Sequence, residues 1–327
     1  MTLDVSVALC TRNGASFLPA QVRSICTQDL LPREIVLSDD GSSDDSVALV
    51  RRTMAECGVT SSVALTVFEN RTPLGVTRNF EQAVRACRHE LIALSDHDDV
   101  WHPGRLSRMA GMFEARADLL LLHTDAQLVD ADLRSLGSTL FAALEVQPGE
   151  LEAIARGDAF EVLLRRNLVT GATTVFRRSL LDVALPFSEE WVHDEWLGAL
   201  AASTGRLDVL TEPLIDYRQH GRNQIGARRP TLADKLRKAM DSRGGKHDQR
   251  LRRAQALLDR LQSLPRPVPE RWLQAQLEKV AHQRFRAGLP ASRLARLLPV
   301  LREAAKGRYD RYGRGKQAIA QDLLERG

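Results

Sequence analysis

The sequence predicts an α/β fold: a mostly parallel, twisted sheet flanked by helices, followed by a smaller α-helical C-terminal region. Short apolar runs alternate with helical patterns through the first hundred residues, the signature of strands crossing over through helices. Three of those runs end in polar clusters, at Thr11–Asn13, Asp39–Ser42 and Asp96–Asp99. Ligands of such sheets bind beyond the carboxyl ends of the strands, so the clusters mark one prospective site. The charge also changes abruptly. From Arg228 onward 25 Lys+Arg face 10 Asp+Glu, whereas the preceding part carries 21 against 32. A body of net −11 and a tail of net +15 divide the chain of 327 residues into 1–226 and a basic helical region, 227–327.

The elements follow in order. Val5 to Cys10 reads as a buried strand, with a helix from about Ser16 to Asp29 whose Leu18, Val22 and Ile25 share one face. Glu34 to Ser38 is the second strand. It runs into Asp39-Asp40-Gly41-Ser42, where Gly41 permits a tight turn and Ser43 or Asp44 caps a helix reaching about Glu56. Val63 to Phe68 is the third strand, Thr77 caps a helix through Arg88, and Leu91 to Leu94 is the fourth. Leu119 to Leu122 is a further strand.

The fourth strand leads straight into Ser95-Asp96-His97-Asp98-Asp99-Val100-Trp101, ahead of Pro103 at the opening of the next helix. Three carboxylates within four positions repel one another, and a divalent cation is the simplest compensation. Mg²⁺ or Mn²⁺ takes such oxygen ligands and shares them with phosphates. No G-x-G-x-x-G follows the first strand and no G-x-x-x-x-G-K-[ST] occurs, so a dinucleotide fold or P-loop is not supported. Hydrophobic content of 43% and charge of 27% suit a globular protein, and no run approaches the ~20 apolar residues of a membrane span. The N-terminus enters a strand at once without a leader pattern, and Cys10, Cys26, Cys57 and Cys87 lack C-x-x-C spacing. The expectation is a cytoplasmic protein with reduced thiols.

V-S-V-A-L-C-T-R-N-G, I-V-L-S-D-D-G-S-S-D, L-G-V-T-R-N-F and A-L-S-D-H-D-D-V-W together resemble the family 2 glycosyltransferases of the GT-A fold. Val192–Trp196 (V-H-D-E-W) and Tyr217–Asn223 (Y-R-Q-H-G-R-N) resemble the later part of that domain, in the form of bacterial rhamnosyltransferase-like members. The likeness covers roughly residues 4 to 226, with every motif in order. It implies transfer of a sugar from a nucleotide-diphosphate donor, with inversion at the anomeric carbon. The donor implied is a dTDP- or UDP-sugar, dTDP-rhamnose among them. The acceptor implied is a hydroxyl of a cell-surface polysaccharide or lipid-linked saccharide.

The resemblance assigns roles residue by residue. Asp96 contacts the ribose and shares the metal, and Asp98 is the direct ligand of Mn²⁺ or Mg²⁺. Asp194 matches the base that deprotonates the acceptor hydroxyl, with Glu195 as its rival. His220 is the candidate third metal ligand. His97 occupies a variable position and points outward, while His123 and His193 look structural. Asp39 or Asp40 is placed to accept from a pyrimidine N–H, and Thr11 and Arg12 supply donors to base and phosphate. Arg78 contacts base or diphosphate, and Arg218, Arg222 and Asn223 close over the diphosphate. Trp101 and Trp196 offer rings to a sugar, and Asp99 binds sugar hydroxyls or caps the following helix. Thr170–Thr173 resembles the segment lining the acceptor side.

In the tail, helices are expected over Thr231–Asp241, Asp248–Leu264, Glu270–Ala287, Ala291–Ala305 and Lys316–Glu325. Leu251, Ala254, Leu257, Leu258 and Leu261 form a stripe that suits packing within the protein. The cationic faces suit peripheral docking on the anionic inner face of a cell membrane. No recognition motif or aromatic interleaving supports nucleic acid as a partner. Two other classes share parts of this pattern: a sugar-nucleotide nucleotidyltransferase, and a non-catalytic nucleotide- or sugar-binding module.

Overall fold

The computed structural model describes residues 3–220 and 245–325. The expected helix Thr231–Asp241, Arg222 and Asn223 lie outside the described residues. Residues 1–157 and 169–227 form one compact unit, and 158–168 with 228–327 form another.

The first unit begins with alternating strands and helices: β1 (Val5–Thr11), α1 (Leu18–Cys26), β2 (Glu34–Asp39), α2 (Ser46–Glu56), β3 (Ala64–Glu69), α3 (Val76–Ala86) and β4 (Leu91–Ser95). It continues through β5 (Val100–Trp101), α4 (Arg105–Ala115), β6 (Leu119–Val129), β7 (Ser135–Thr139), α5 (Leu140–Ala143) and α6 (Pro148–Arg156). After the second unit's short α7 (Ala159–Arg165) come β8 (Thr174–Arg177), α8 (Leu181–Ala184), α9 (His193–Thr204) and β9 (Arg206–Arg218).

The strands lie in the order β3-β2-β1-β4-β8-β6-β9-β5, with β7 paired to β6. β1, β2 and β4 are buried at every residue, which is why they read as unbroken apolar runs. The first four strands pair in parallel, as the sequence suggests. The second half is mixed: β8 is antiparallel to β4 and β6, β6 is parallel to β9, and β5 is antiparallel to β9. Pairing direction leaves no mark in hydrophobic periodicity, so this half was not legible. Strand order reverses at β1, which lies between β2 and β4, and ligands of such sheets bind at a switch point of this kind.

Two caps differ from expectation. Gly75, at φ +81°, precedes α3, and Thr77 lies inside the helix, where its hydroxyl donates to the Trp191 carbonyl. Asp45 occupies the cap position of α2, while the Asp44 carboxylate accepts from Ser46 N at 3.1 Å. All four cysteines are free, three of them buried.

In the second unit, α10 (Lys246–Ser263) and α11 (Glu270–Ala287) pack through Ala254, Leu258 and Val280. The stripe at Ala254, Leu257, Leu258 and Leu261 is buried. α12 (Arg293–Ala305), α13 (Arg308–Tyr312) and α14 (Lys316–Leu324) surround Leu289, Val300, Tyr309 and Ala318. α7 joins this unit through Phe160, whose ring lies 5.4 Å from that of Trp272, and through the Leu164 carbonyl, which accepts from Lys279.

Candidate active site

The three polar clusters all emerge at carboxyl ends of neighbouring strands, and hydrogen bonds lace the first two together. Asn13, at φ +51°, donates its backbone N–H to Ser42 Oγ, and its side-chain oxygen accepts from Ser43 N. Gly14 N donates to Ser46 Oγ. A Cβ on Gly14 would stand 2.5 Å from Thr11 Oγ1 and 2.8 Å from His97 Cδ2, so glycine is required for this close approach. That contact also corrects the outward placement of His97, which packs over Gly14 and whose pKa is lowered by burial.

Asp39 and Asp40 each accept hydrogen bonds within the fold. Asp40 accepts from the N–H groups of Leu74 and Gly75, at 2.6 and 3.0 Å, fixing the entry to α3. Asp39 closes its own turn on Ser42, accepting from its N–H at 2.9 Å, and lines an open hollow with Asp44, Arg51 and Glu69. Thr11 is buried with its hydroxyl unpaired among the described residues, whereas Arg12 is exposed. Arg78 points into solvent and pairs with the exposed Glu189.

The antiparallel pairing of β5 with β9 sets Val100 opposite Asp216. Carried outward, that register brings the acidic stretch against the residues that end β9. Arg218 N donates to Asp99 Oδ1 at 3.0 Å, Arg218 Nε to the Asp98 carbonyl at 2.6 Å, and His220 Nε2 lies 2.9 Å from Asp98 Oδ2. Arg218 also donates to the Ala131 carbonyl and is 3% exposed. It holds the acidic loop in place, a correction to its expected position over a diphosphate. His220 stacks on Phe17, ring centroids 4.7 Å apart.

Asp194 sits in the first turn of α9. Its carboxylate accepts from Gly171 N at 2.9 Å and from Glu195 N at 2.7 Å, so the Thr170–Thr173 segment buttresses it. A Cβ on Gly171 would approach His193 Nε2 to 2.9 Å, which keeps that position small.

Electrostatics tie these carboxylates into one cluster. Asp96 is pushed up to about 8, first by burial, then by the charges of Asp98 and Asp194. Asp99 is raised by burial and by Asp98 and Asp96. Tyr217, missed by sequence reasoning, is raised by burial and then by Asp99, Asp96, Asp98 and Asp194. The charges of all four acids thus act on its phenol, and its place at the end of β9, inside Y-R-Q-H, was the available signal. Arg105 was missed as well: fully buried over the Trp101 ring at 3.9 Å, it is lowered to about 9 by burial while Asp99 pulls it back up.

Both tryptophan assignments need correcting. Trp101 is 3% exposed and belongs to the core, and Trp196 is 1% exposed with its indole N–H donating to the Ala184 carbonyl. Neither ring presents a face to a sugar. Trp191, tilted against Trp196 at 5.9 Å, is the partly exposed one. His193 stacks on Phe80 at 3.9 Å, and His123, lowered to about 4 by burial, packs edge-on to Phe141.

Asp96 and Asp98, the latter 2.9 Å from the His220 imidazole, form an oxygen-rich set that suits Mn²⁺ or Mg²⁺. Among the described residues, however, the three groups whose ligand atoms all lie within 4.8 Å of one another are His247, Asp322 and Glu325, in the second unit. Asp96, Asp98 and His220 do not converge that closely.

The fold is of the GT-A glycosyltransferase type. It resembles Staphylococcus aureus TarS, solved in complex with UDP-GlcNAc, with a TM-score of 0.59 at 15% identity over 98% of this chain and 91% of that one. The chain belongs to Glycosyl transferase family 2, whose model matches residues 6–183. Relatives include a glycosyltransferase of Nostoc sp., 24% identical over 68% of this chain, and EpsH of Bacillus subtilis, 24% identical over 67%. The matches span 66% and 62% of those relatives' own lengths. No described helix is long and apolar enough to cross a membrane.

Proposed function

We propose that this chain is a metal-dependent inverting glycosyltransferase, taking a sugar from a dTDP- or UDP-linked donor, dTDP-rhamnose among them. The acceptor in this reading is a hydroxyl of a cell-surface polysaccharide or lipid-linked saccharide, with the basic helices held at the anionic inner face of a membrane. The observation that carries it is electrostatic: the charges of Asp98 and Asp194 both act on Asp96. One locus thus offers acids for a cation and a further acid at a helix start. Family membership and the UDP-sugar bound by TarS support a nucleotide-diphosphate donor.

In this mechanism Asp98 and His220, with Asp96, would hold Mn²⁺ or Mg²⁺, which neutralises charge on the departing diphosphate. Asp194, fixed by Gly171 N, takes the proton of the acceptor hydroxyl. The acceptor oxygen forms its bond to the anomeric carbon as the carbon–oxygen bond to the diphosphate breaks, and the electron pair leaves with the nucleotide. Asp39, which lines the open hollow, or Asp40 accepts from the base N–H. Thr11, Arg12 and Arg78 serve base and phosphates, Asp96 also contacts the ribose, and Asp99 and Glu195 face the sugar and acceptor.

Thermal melting with UDP, dTDP and nucleoside triphosphates, each with Mn²⁺ or Mg²⁺, tests the reading. Stabilisation by the diphosphates is expected. Stabilisation by triphosphates alone would point to nucleotidyl transfer and overturn it.

A further inference from the structure

The helix α12 is built with its charges inward and its leucines outward. Arg296 is 0% exposed, and its guanidinium donates to the carbonyls of Pro290, Ala291, Asp322 and Glu325. Glu303 is 3% exposed and pairs with His282, Lys306 and Arg308. Leu294, Leu297, Leu298 and Leu301 are 87%, 48%, 56% and 51% exposed. At about 100° per residue those four fall within one arc of roughly 100°. Arg293 borders the arc on one side and Arg302 on the other, both exposed. A contiguous apolar face of this kind marks an interaction surface.

Its surroundings choose the partner. From Arg293 to Lys316 the chain carries eight Lys+Arg against two Asp+Glu, and one of those acids, Glu303, is buried. Two copies joined through the leucines would set arginine rims against arginine rims, whereas an anionic lipid surface accepts both leucines and arginines. The helix has 13 residues, about 20 Å, too short for the ~30 Å hydrocarbon core, so it would lie in the interface and not cross it.

We infer that α12 is a membrane-interface anchor, its leucines entering the acyl boundary and Arg293, Arg302, Lys306 and Arg311 meeting lipid phosphates. This rests on the proposed function only in taking an anionic membrane as the partner, and lipid binding is read without turnover.

Co-sedimentation of the full chain with vesicles of phosphatidylcholine alone, and of equal parts phosphatidylcholine and phosphatidylglycerol, tests it. The wild type should bind the mixed vesicles, more weakly at high salt. Leu294→Gln with Leu298→Gln should lower the partition coefficient about tenfold or more, with unchanged melting and unchanged turnover on a soluble acceptor. Arg293→Gln with Arg302→Gln should lower it several-fold and flatten the salt dependence. Equal binding by wild type and the leucine variant would overturn the inference, as would a wild-type dimer in light scattering that the same variant dissolves. Lost turnover with lipid binding retained would count against the transfer reading alone.

Discussion

Each unit gathers buried acids, and the two clusters are balanced in opposite ways. In the second unit Asp322 receives both arms of the Arg286 guanidinium, at 2.6 and 2.7 Å, and the Tyr309 hydroxyl at 2.6 Å. Its pKa is lowered, hydrogen bonds and the charge of Arg286 outweighing burial. His247 Nε2 lies 2.8 Å from Glu325, whose carbonyl accepts from Arg296. In the first unit Asp96 goes the other way, up to about 8, first through burial and then through the charges of Asp98 and Asp194. Distances alone would choose His247, Asp322 and Glu325 as the metal site. Charge favours the other, because Arg286 grips Asp322 in the second cluster, whereas the charges acting on Asp96 are those of further acids. Acids matched by a guanidinium inside the fold serve the fold, and acids crowded against further acids mark where a cation belongs.

The largest expected effect lies in the first unit. Asp194→Asn keeps a side chain of the same shape but cannot take a proton, so kcat should fall about a thousandfold with little change in donor affinity. Steady-state kinetics beside nucleotide titration checks this, and lost donor affinity would move the base elsewhere. In the second unit, Arg286→Met leaves Asp322 buried without its partner. The cost should be about 3–5 kcal/mol in chemical denaturation, and Arg286→Met with Asp322→Leu should recover part of it.

The smallest effect sharpens the contrast. Asp96 has a folded pKa raised above its unfolded value near 3.9, so its contribution is present below pH ~4 and is lost as pH rises through about 8. Without metal, Asp96→Asn should therefore stabilise the protein at pH 7.5, a gain that vanishes toward pH 4. Melting curves at both pH values give the sign. No gain at pH 7.5 would mean that the carboxylate is already compensated.

The parts legible in the sequence were those where neighbours in sequence are neighbours in space. β1, β2 and β4, buried on both faces, announced themselves as apolar runs, and their polar exits marked the candidate site. The GT-A fold followed from motifs in order. What stayed hidden depends on register and packing. Nothing in Arg206–Arg218, a strand of uneven burial, shows that it pairs with Val100–Trp101 and so brings Arg218 beneath Asp98. The same pairing puts Tyr217 among four acids. Tryptophans beside motifs resembled sugar platforms, yet Trp101 and Trp196 fill the core. The periodicity of α12 could not reveal which face turns inward, because Arg296 and Glu303 find partners only once the second unit is folded.

The cation is expected at the crowded acids after β4, with Asp98 among its ligands. Mn²⁺ titration followed by electron paramagnetic resonance, on the wild type, Asp98→Asn and His247→Gln, tests it most directly. Tight binding should persist in His247→Gln and disappear in Asp98→Asn; binding that survives Asp98→Asn and is lost in His247→Gln would contradict it.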